Sequence, residues 1–88
     1  MEQKKEAPRT LDRLEVGGAG RVLRVGGAGA LRHRLLDMGI TPKTRIYVRK
    51  KAPFGDPIEI NLRGYELTLR QEDARMIEVE PLEEPEKQ

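Results

Sequence analysis

The chain has 88 residues, 36% of them charged and 36% hydrophobic, with a formal net charge of +2 and no cysteine. That length makes one domain with a small core, one that buries only about 60–70% of the surface an unfolded chain exposes, and it argues against a deep catalytic cleft. The lack of cysteine excludes disulfides and thiolate zinc sites, no apolar run approaches the ~20 residues that span a bilayer, and the opening Met-Glu-Gln-Lys-Lys-Glu-Ala-Pro has no apolar signal segment, so a soluble cytoplasmic protein is expected.

Residues 1–9 are charged, contain Pro8 and lack apolar periodicity, and read as a disordered lead-in. Thr10 opens the fold. Leu11 and Leu14 suit one helical turn capped by the Thr10 hydroxyl and ended by Gly17-Gly18, with both leucines plugging one end of a sheet. Gly20 to Val25 has the β-branched bias of a strand, with Val22 on one face and Leu23 and Val25 on the other, although the alternation is imperfect.

The only clear amphipathic helix follows, within Gly26 to Ile40. Leu31, Leu35 and Met38 recur at i, i+4 and i+7 and share one stripe facing a core, while Arg32, His33 and Asp37 point outward. Gly26, Gly27 and Gly29 let the chain turn sharply into the helix, and Gly39 follows its last turn, where a left-handed residue is needed. So short a helix requires a sheet beneath it.

Thr41-Pro42-Lys43-Thr44 is a turn. In Arg45-Ile-Tyr-Val-Arg49, Ile46 and Val48 face inward against Arg45, Tyr47 and Arg49. Ala52-Pro-Phe-Gly-Asp56 connects to a strand that Pro57 can start, in which Ile58, Ile60 and Leu62 alternate. Arg63-Gly64-Tyr65 turns tightly into Glu66–Arg70, so these two segments pair as a hairpin with Leu67 and Leu69 on the core face. Gln71–Ala74 suits one helical turn, and Met76–Glu80 closes the sheet with Ile77 and Val79 inward. Pro81 and Pro85 punctuate a flexible acidic tail, residues 81–88. The expected fold is mainly β: about five antiparallel strands in a strongly bent sheet closed into a small barrel, with one inserted α-helix covering an open end and the domain spanning residues 10–80.

Charge is uneven along the chain. Between Arg21 and Lys51, nine Lys or Arg side chains face one acid, Asp37, whereas Glu78, Glu80, Glu83, Glu84 and Glu86 oppose Lys87 alone. Such a balance either draws anionic partners or lets the tail screen the body.

The segments Gly20-Arg-Val, Arg32-His-Arg-Leu-Leu-Asp-Met-Gly-Ile40, Thr41-Pro42, Ala52-Pro-Phe-Gly-Asp-Pro-Ile58 and Arg63-Gly-Tyr65 together resemble the FeoA domain, over roughly Thr10 to Val79. The pairing of Leu-Asp-Met-Gly with a later Ala-Pro-x-Gly-Asp-Pro carries the resemblance. Lys43 departs from it, standing where a glycine is common after the proline. The resemblance implies a Src-homology-three-like small barrel and a cytoplasmic accessory protein of ferrous iron transport that acts with the GTP-dependent membrane component FeoB. The same module also closes metal-dependent transcriptional repressors. With no helix-turn-helix ahead of the barrel in this chain, the transport partner is the expected one.

The residues themselves disfavour catalysis: there is no Cys, no nucleophile elbow, no phosphate-cradling loop ending in Lys-Ser or Lys-Thr, and a single His. No cofactor is expected. The glycine turn ahead of the helix leaves amides at Gly29, Ala30 and Leu31 that suit an anion, or it is simply a connection. His33 and Asp37, four apart, offer two of the ligands a metal needs and otherwise form a solvated pair. A protein interface is better supported. Leu36 falls about 140° from Leu31 on the helical wheel beside Arg32 and Arg34, so it either presents an arginine-rimmed apolar contact or sinks with the helix into a groove. Phe54, next to Pro53, either folds onto the barrel rim or presents an anchor.

The expected partner is thus the cytoplasmic region of a FeoB-type transporter, without membrane insertion; self-association stays open. The readings from other classes are a basic small barrel that binds nucleic acid, or a metal-responsive regulatory domain. Against nucleic acid stands the scatter of Tyr47, Phe54 and Tyr65, the chain's three aromatics, where single-strand binders stack bases on grouped rings.

Overall fold

The computed structural model describes residues 7–83, so the first six residues of the expected lead-in and the last five of the expected tail lie outside the described residues. Along the chain run β1 (Arg9–Thr10), a 3-10 turn (Leu11–Arg13), β2 (Ala19–Val25), α1 (Gly29–Asp37), β3 (Arg45–Lys51), β4 (Ile58–Leu62), β5 (Tyr65–Leu69), α2 (Gln71–Ala74) and β6 (Ile77–Leu82). The six strands form one antiparallel sheet in the order β1-β6-β2-β3-β4-β5. The mainly β class holds, with two differences. A sixth strand, β1, pairs Arg9 with Val79 and Thr10 with Glu78; two residues are too few for a periodic signal. Among the described residues the ladder also does not close: β1 and β5 stand at opposite ends of the strand order. The 3-10 turn packs on α2 instead, burying Leu11 and Ala74 fully. The strands run slightly past the expected domain bounds of 10 and 80, β1 starting at Arg9 and β6 continuing through Pro81 to Leu82.

The alternation read in β3 to β6 holds: Ile46, Val48, Ile58, Ile60, Leu62, Leu69, Ile77 and Val79 are all buried. Leu67 is only partly so, because β5 is an edge strand. The irregular pattern of β2 has a physical cause. Its register with β6 shifts between Val22 and Arg24, so Leu23 is the extra residue of a bulge and Val22 and Val25 both turn inward. Leu23 is left outside. Gly20 belongs to the same packing: a Cβ there would lie 3.0 Å from Leu14 Cδ1 and 3.1 Å from Val79 Cβ, so its missing side chain lets Leu14 seat on the strand. Thr10 differs from expectation. Its hydroxyl donates to the Asp12 carboxylate and accepts no cap bond from the turn's backbone, the rotamer being set by that carboxylate.

In α1, Leu35 is fully buried while Leu31, Leu36 and Met38 pack on the core from its margin. The helix stops as its residues require. Gly39 has φ +96, its N–H donates to Leu36 O at 3.0 Å and the Ile40 N–H to Leu35 O at 3.1 Å, and Ile40 folds back completely buried. The following turn is sewn to β2 by Lys43 N–H to Val22 O at 2.7 Å and Val22 N–H to Thr44 O at 2.8 Å, with Thr44 buried. Lys43 itself sits at φ +79, a left-handed conformation that costs a residue with a Cβ about 1–2 kcal/mol.

Because the Lys43 side chain is exposed, Lys43→Gly removes the left-handed penalty and loses only the unfolded-state advantage of a Cβ, about 0.4–1 kcal/mol. Thermal unfolding of that variant is expected to show a net gain of about 0.5–1 kcal/mol, a rise in Tm of roughly 2–8 °C. An unchanged or lowered Tm contradicts this account of the turn.

Candidate functional site

The candidate residues fall in three places. At the glycine turn, Gly26 N–H donates to Met76 O at 2.7 Å and Gly27 adopts φ +97. The first bond of α1 runs from Arg32 N–H to Ala28 O, so the amides of Gly29, Ala30 and Leu31 are those the helix itself does not use. Arg32 bends back over this turn and donates from Nε to Val25 O at 3.0 Å. The turn is thereby stitched to the strands on either side.

His33 and Asp37 are both exposed on α1. Among the described residues, no group of three or more His, Cys, Asp and Glu side chains gathers in a way that holds a metal ion.

The proposed contact residues divide by environment. Leu36 is half-buried and packs against the core, so of its two alternatives the sunken one describes it better. Arg34 donates from Nη2 to Asp73 Oδ2 at 3.1 Å, its partner carboxylate only 13% exposed, which ties α1 to α2. Pro53 and Phe54 are outward, and Phe54 is 94% exposed. Of the two alternatives for Phe54, folding onto the rim is therefore not the one adopted.

The loop that carries Phe54 is built to hold it there. Ala52 N–H donates to Pro57 O at 3.0 Å and Gly55 N–H to Ala52 O at 2.7 Å, with Gly55 at φ +85. The Asp56 carboxylate then accepts from Gln71 N–H at 2.9 Å, supplying one of the first-turn bonds that α2 cannot make for itself. So α2 is braced from both sides, by Arg34 through Asp73 and by Asp56 through Gln71. Sequence reasoning passed over this brace, because a cap fifteen residues upstream leaves no local pattern.

Two shallow depressions flank this assembly, and Thr68 on β5 lines both. One, of about 440 Å³, lies among Lys50, Lys51, Pro53, Pro57 and Glu59. The other, of about 510 Å³, lies among Arg34, Met38, Leu69, Arg70 and Asp73. Residues from α1 and from the Phe54 loop thus border neighbouring hollows. Basic groups are prominent on the first rim: Lys50 Nζ is 4.0 Å from Glu59, and Lys51 Nζ donates to Asp12 O at 3.1 Å. The arrangement brings together an apolar projection, adjoining hollows and cations. Among the described residues no helix is long and apolar enough to cross a membrane.

Removing the brace separates its local and global effects. Asp56→Ala is expected to cost about 1 kcal/mol, as lost helix caps do, and to speed amide hydrogen exchange at Gly55 and Gln71 while leaving β2 and β6 protected. Exchange at those two amides equal to wild type contradicts the brace.

Comparison with known proteins agrees with this fold. The model of the FeoA domain family matches residues 9–81. A curated relative, the Fe(2+) transport protein A/Fe(2+) transporter FeoB fusion protein of Porphyromonas gingivalis, is 40% identical over 70 residues; the match covers 80% of this chain and 8% of the relative. The solution structure of a FeoA-like protein from Clostridium acetobutylicum superposes with a TM-score of 0.81 at 37% identity, over 98% of each chain. The crystal structure of Stenotrophomonas maltophilia FeoA with zinc, described as an SH3 domain protein, shares the fold at a TM-score of 0.73 and 23% identity, over 81% of this chain and 88% of its own.

Proposed function

The chain belongs to the FeoA domain family, and from that premise we propose that it is a cytoplasmic accessory protein of ferrous iron transport. In this reading it works by docking on the cytoplasmic region of a FeoB-type transporter and catalyses no reaction of its own. The observation that carries the reading is the fusion. In the Porphyromonas gingivalis relative, a segment 40% identical to this chain is joined to FeoB in one polypeptide, of which the match spans 8%. Joining two modules covalently supplies by tethering the local concentration that a separate chain must supply by affinity. Docking on the transporter needs an exposed contact surface, and the Phe54 loop supports that role.

Three properties suit the loop to docking. Phe54 is almost wholly exposed, so a partner that covers it gains roughly 1.5–3 kcal/mol of apolar burial. The Asp56 to Gln71 bond and the two loop bonds hold it in advance, which lowers the ordering cost of association. Lys50 and Lys51 beside the hollow steer an acidic partner surface toward it. Arg32 and Arg34 serve this reading indirectly, as the ties that position α1, and Leu36 as part of the core margin. Iron is then the transporter's substrate, with this chain acting on the transporter.

Titration of the purified chain into the isolated cytoplasmic region of a FeoB-type transporter, followed calorimetrically, tests this. Phe54→Ala is expected to stay folded and to weaken binding by about 2 kcal/mol, roughly 30-fold in Kd. Leu36→Asp is expected to lose binding together with its folded spectrum, since it places a carboxylate against the core. Wild-type affinity in Phe54→Ala, or no binding by the wild-type chain, overturns the reading.

A further inference from the structure

Among the described residues the sheet ends in two edge strands, and they are unequal. β1 offers two residues, whereas β5 offers five, Tyr65–Leu69. The turn at Arg63-Gly64, with φ +52 and +85, makes Leu62 and Tyr65 the closing pair of the hairpin. Hydrogen-bonded and non-bonded pairs alternate from there. Tyr65, Leu67 and Leu69 therefore spend their backbone groups on β4, and Glu66 and Thr68 aim theirs away from the sheet. Arg70, still extended at φ −78 and ψ 152, continues that row before α2 begins, and its carbonyl accepts from Asp73 and Ala74. Glu66, Thr68 and Arg70 are all exposed.

We propose that this edge pairs antiparallel with the same edge of a second copy of the chain, about a two-fold axis through Thr68. That register sets Thr68 opposite Thr68 of the second copy, Glu66 opposite Arg70 and Leu67 opposite Leu69. Each is a favourable cross-strand pair: hydroxyl with hydroxyl, carboxylate with guanidinium, and aliphatic with aliphatic. Leu67, partly buried at the margin of the core, is covered in the process. Shifting the axis to Glu66 instead opposes two carboxylates, and shifting it to Leu67 forfeits both charge pairs. The charges are available for exchange. Glu66 now lies 3.7 Å from Arg49 and Arg70 3.8 Å from Glu72, both exposed pairs of little strength. The edge is self-complementary in charge, and a second copy is the occupant that reproduces the complement at every position. Two adjoining hollows that meet at Thr68 leave room on both faces of the added strand. The pairing does not rest on the transporter reading, although both draw on the hollow that Thr68 lines, and it buries little area, so it is weak and concentration-dependent.

Sedimentation equilibrium over rising concentration tests it, with the wild-type apparent mass climbing from one chain toward two. Glu66→Arg and Arg70→Glu alone are each expected to weaken association roughly five- to tenfold, since symmetry turns two attractive pairs into two repulsive ones. The double variant Glu66→Arg/Arg70→Glu is expected to return to within about twofold of wild type. Thr68→Pro removes an outward N–H that the chain's own sheet does not use, and is expected to abolish the dimer while keeping the folded spectrum. A wild-type chain that keeps the mass of one copy at the highest concentration reached overturns the proposal, including the case where β5 serves an extended segment of another protein. So does a double variant as weak as either single one.

Discussion

The sheet curls without its outer strands meeting, and most of what lies outside the core answers to that open seam. A closed barrel has no edge to protect. Here β1 is two residues long and β5 five, so one side of the molecule must be sealed by something other than a ladder. The seal is the 3-10 turn against α2, with Leu11 and Ala74 buried between them and Asp12 drawing Lys51 and Arg75 across the junction. α2 is one helical turn and has no stability of its own. It persists because Asp56 takes up its first N–H and Asp73 holds Arg34 of α1. The seam, the brace and the loop that projects Phe54 are therefore one mechanical unit. The Phe54 loop gains stiffness from the same contacts that make up for the missing ladder.

What the sequence disclosed and what it concealed follow from the range of the interactions involved. Period-two burial in β3, β4 and β6 could be read directly, since each residue's face depends only on its neighbours. So could the end of α1, because Gly39 and Ile40 announce a capping motif within a single turn. The facing of β2 could not be read. Leu23 interrupts the period as a bulge, and the bulge is set by pairing with β6, some fifty residues away. The departure of Lys43 from the resemblance is informative in the same way. A lysine stands where the backbone requires φ +79, and the strain is tolerated because Val22 and Thr44 fix the turn from outside.

The candidate site divides along that same line. Exposure of Phe54 was one of two alternatives, since a lone aromatic in a Pro-Gly loop carries no periodicity to decide its face. The helix arginines read as a rim for Leu36, because on a wheel Arg32 and Arg34 simply point outward. In three dimensions their length lets them reach back, Arg32 to a strand carbonyl and Arg34 to a carboxylate on α2. A wheel describes where a side chain leaves the helix and says nothing of where a long one ends.

The same reach shapes how charge is distributed among the described residues, in a chain of which a third is ionic. Arg21 lies 3.2 Å from Glu80, Arg24 3.3 Å from Glu78 and Arg34 3.1 Å from Asp73, each cation answered by an acid on the adjacent strand or helix. The basic stretch of the chain and the glutamates of β6 thus meet across the β2–β6 ladder. Part of the sequence asymmetry is thereby balanced locally once the sheet forms, while Lys50 and Lys51 stay at the rim of the hollow beside the Phe54 loop. Phe54 and the outer edge of β5 stay outward on this surface, and they are the two features on which the proposed contacts rest.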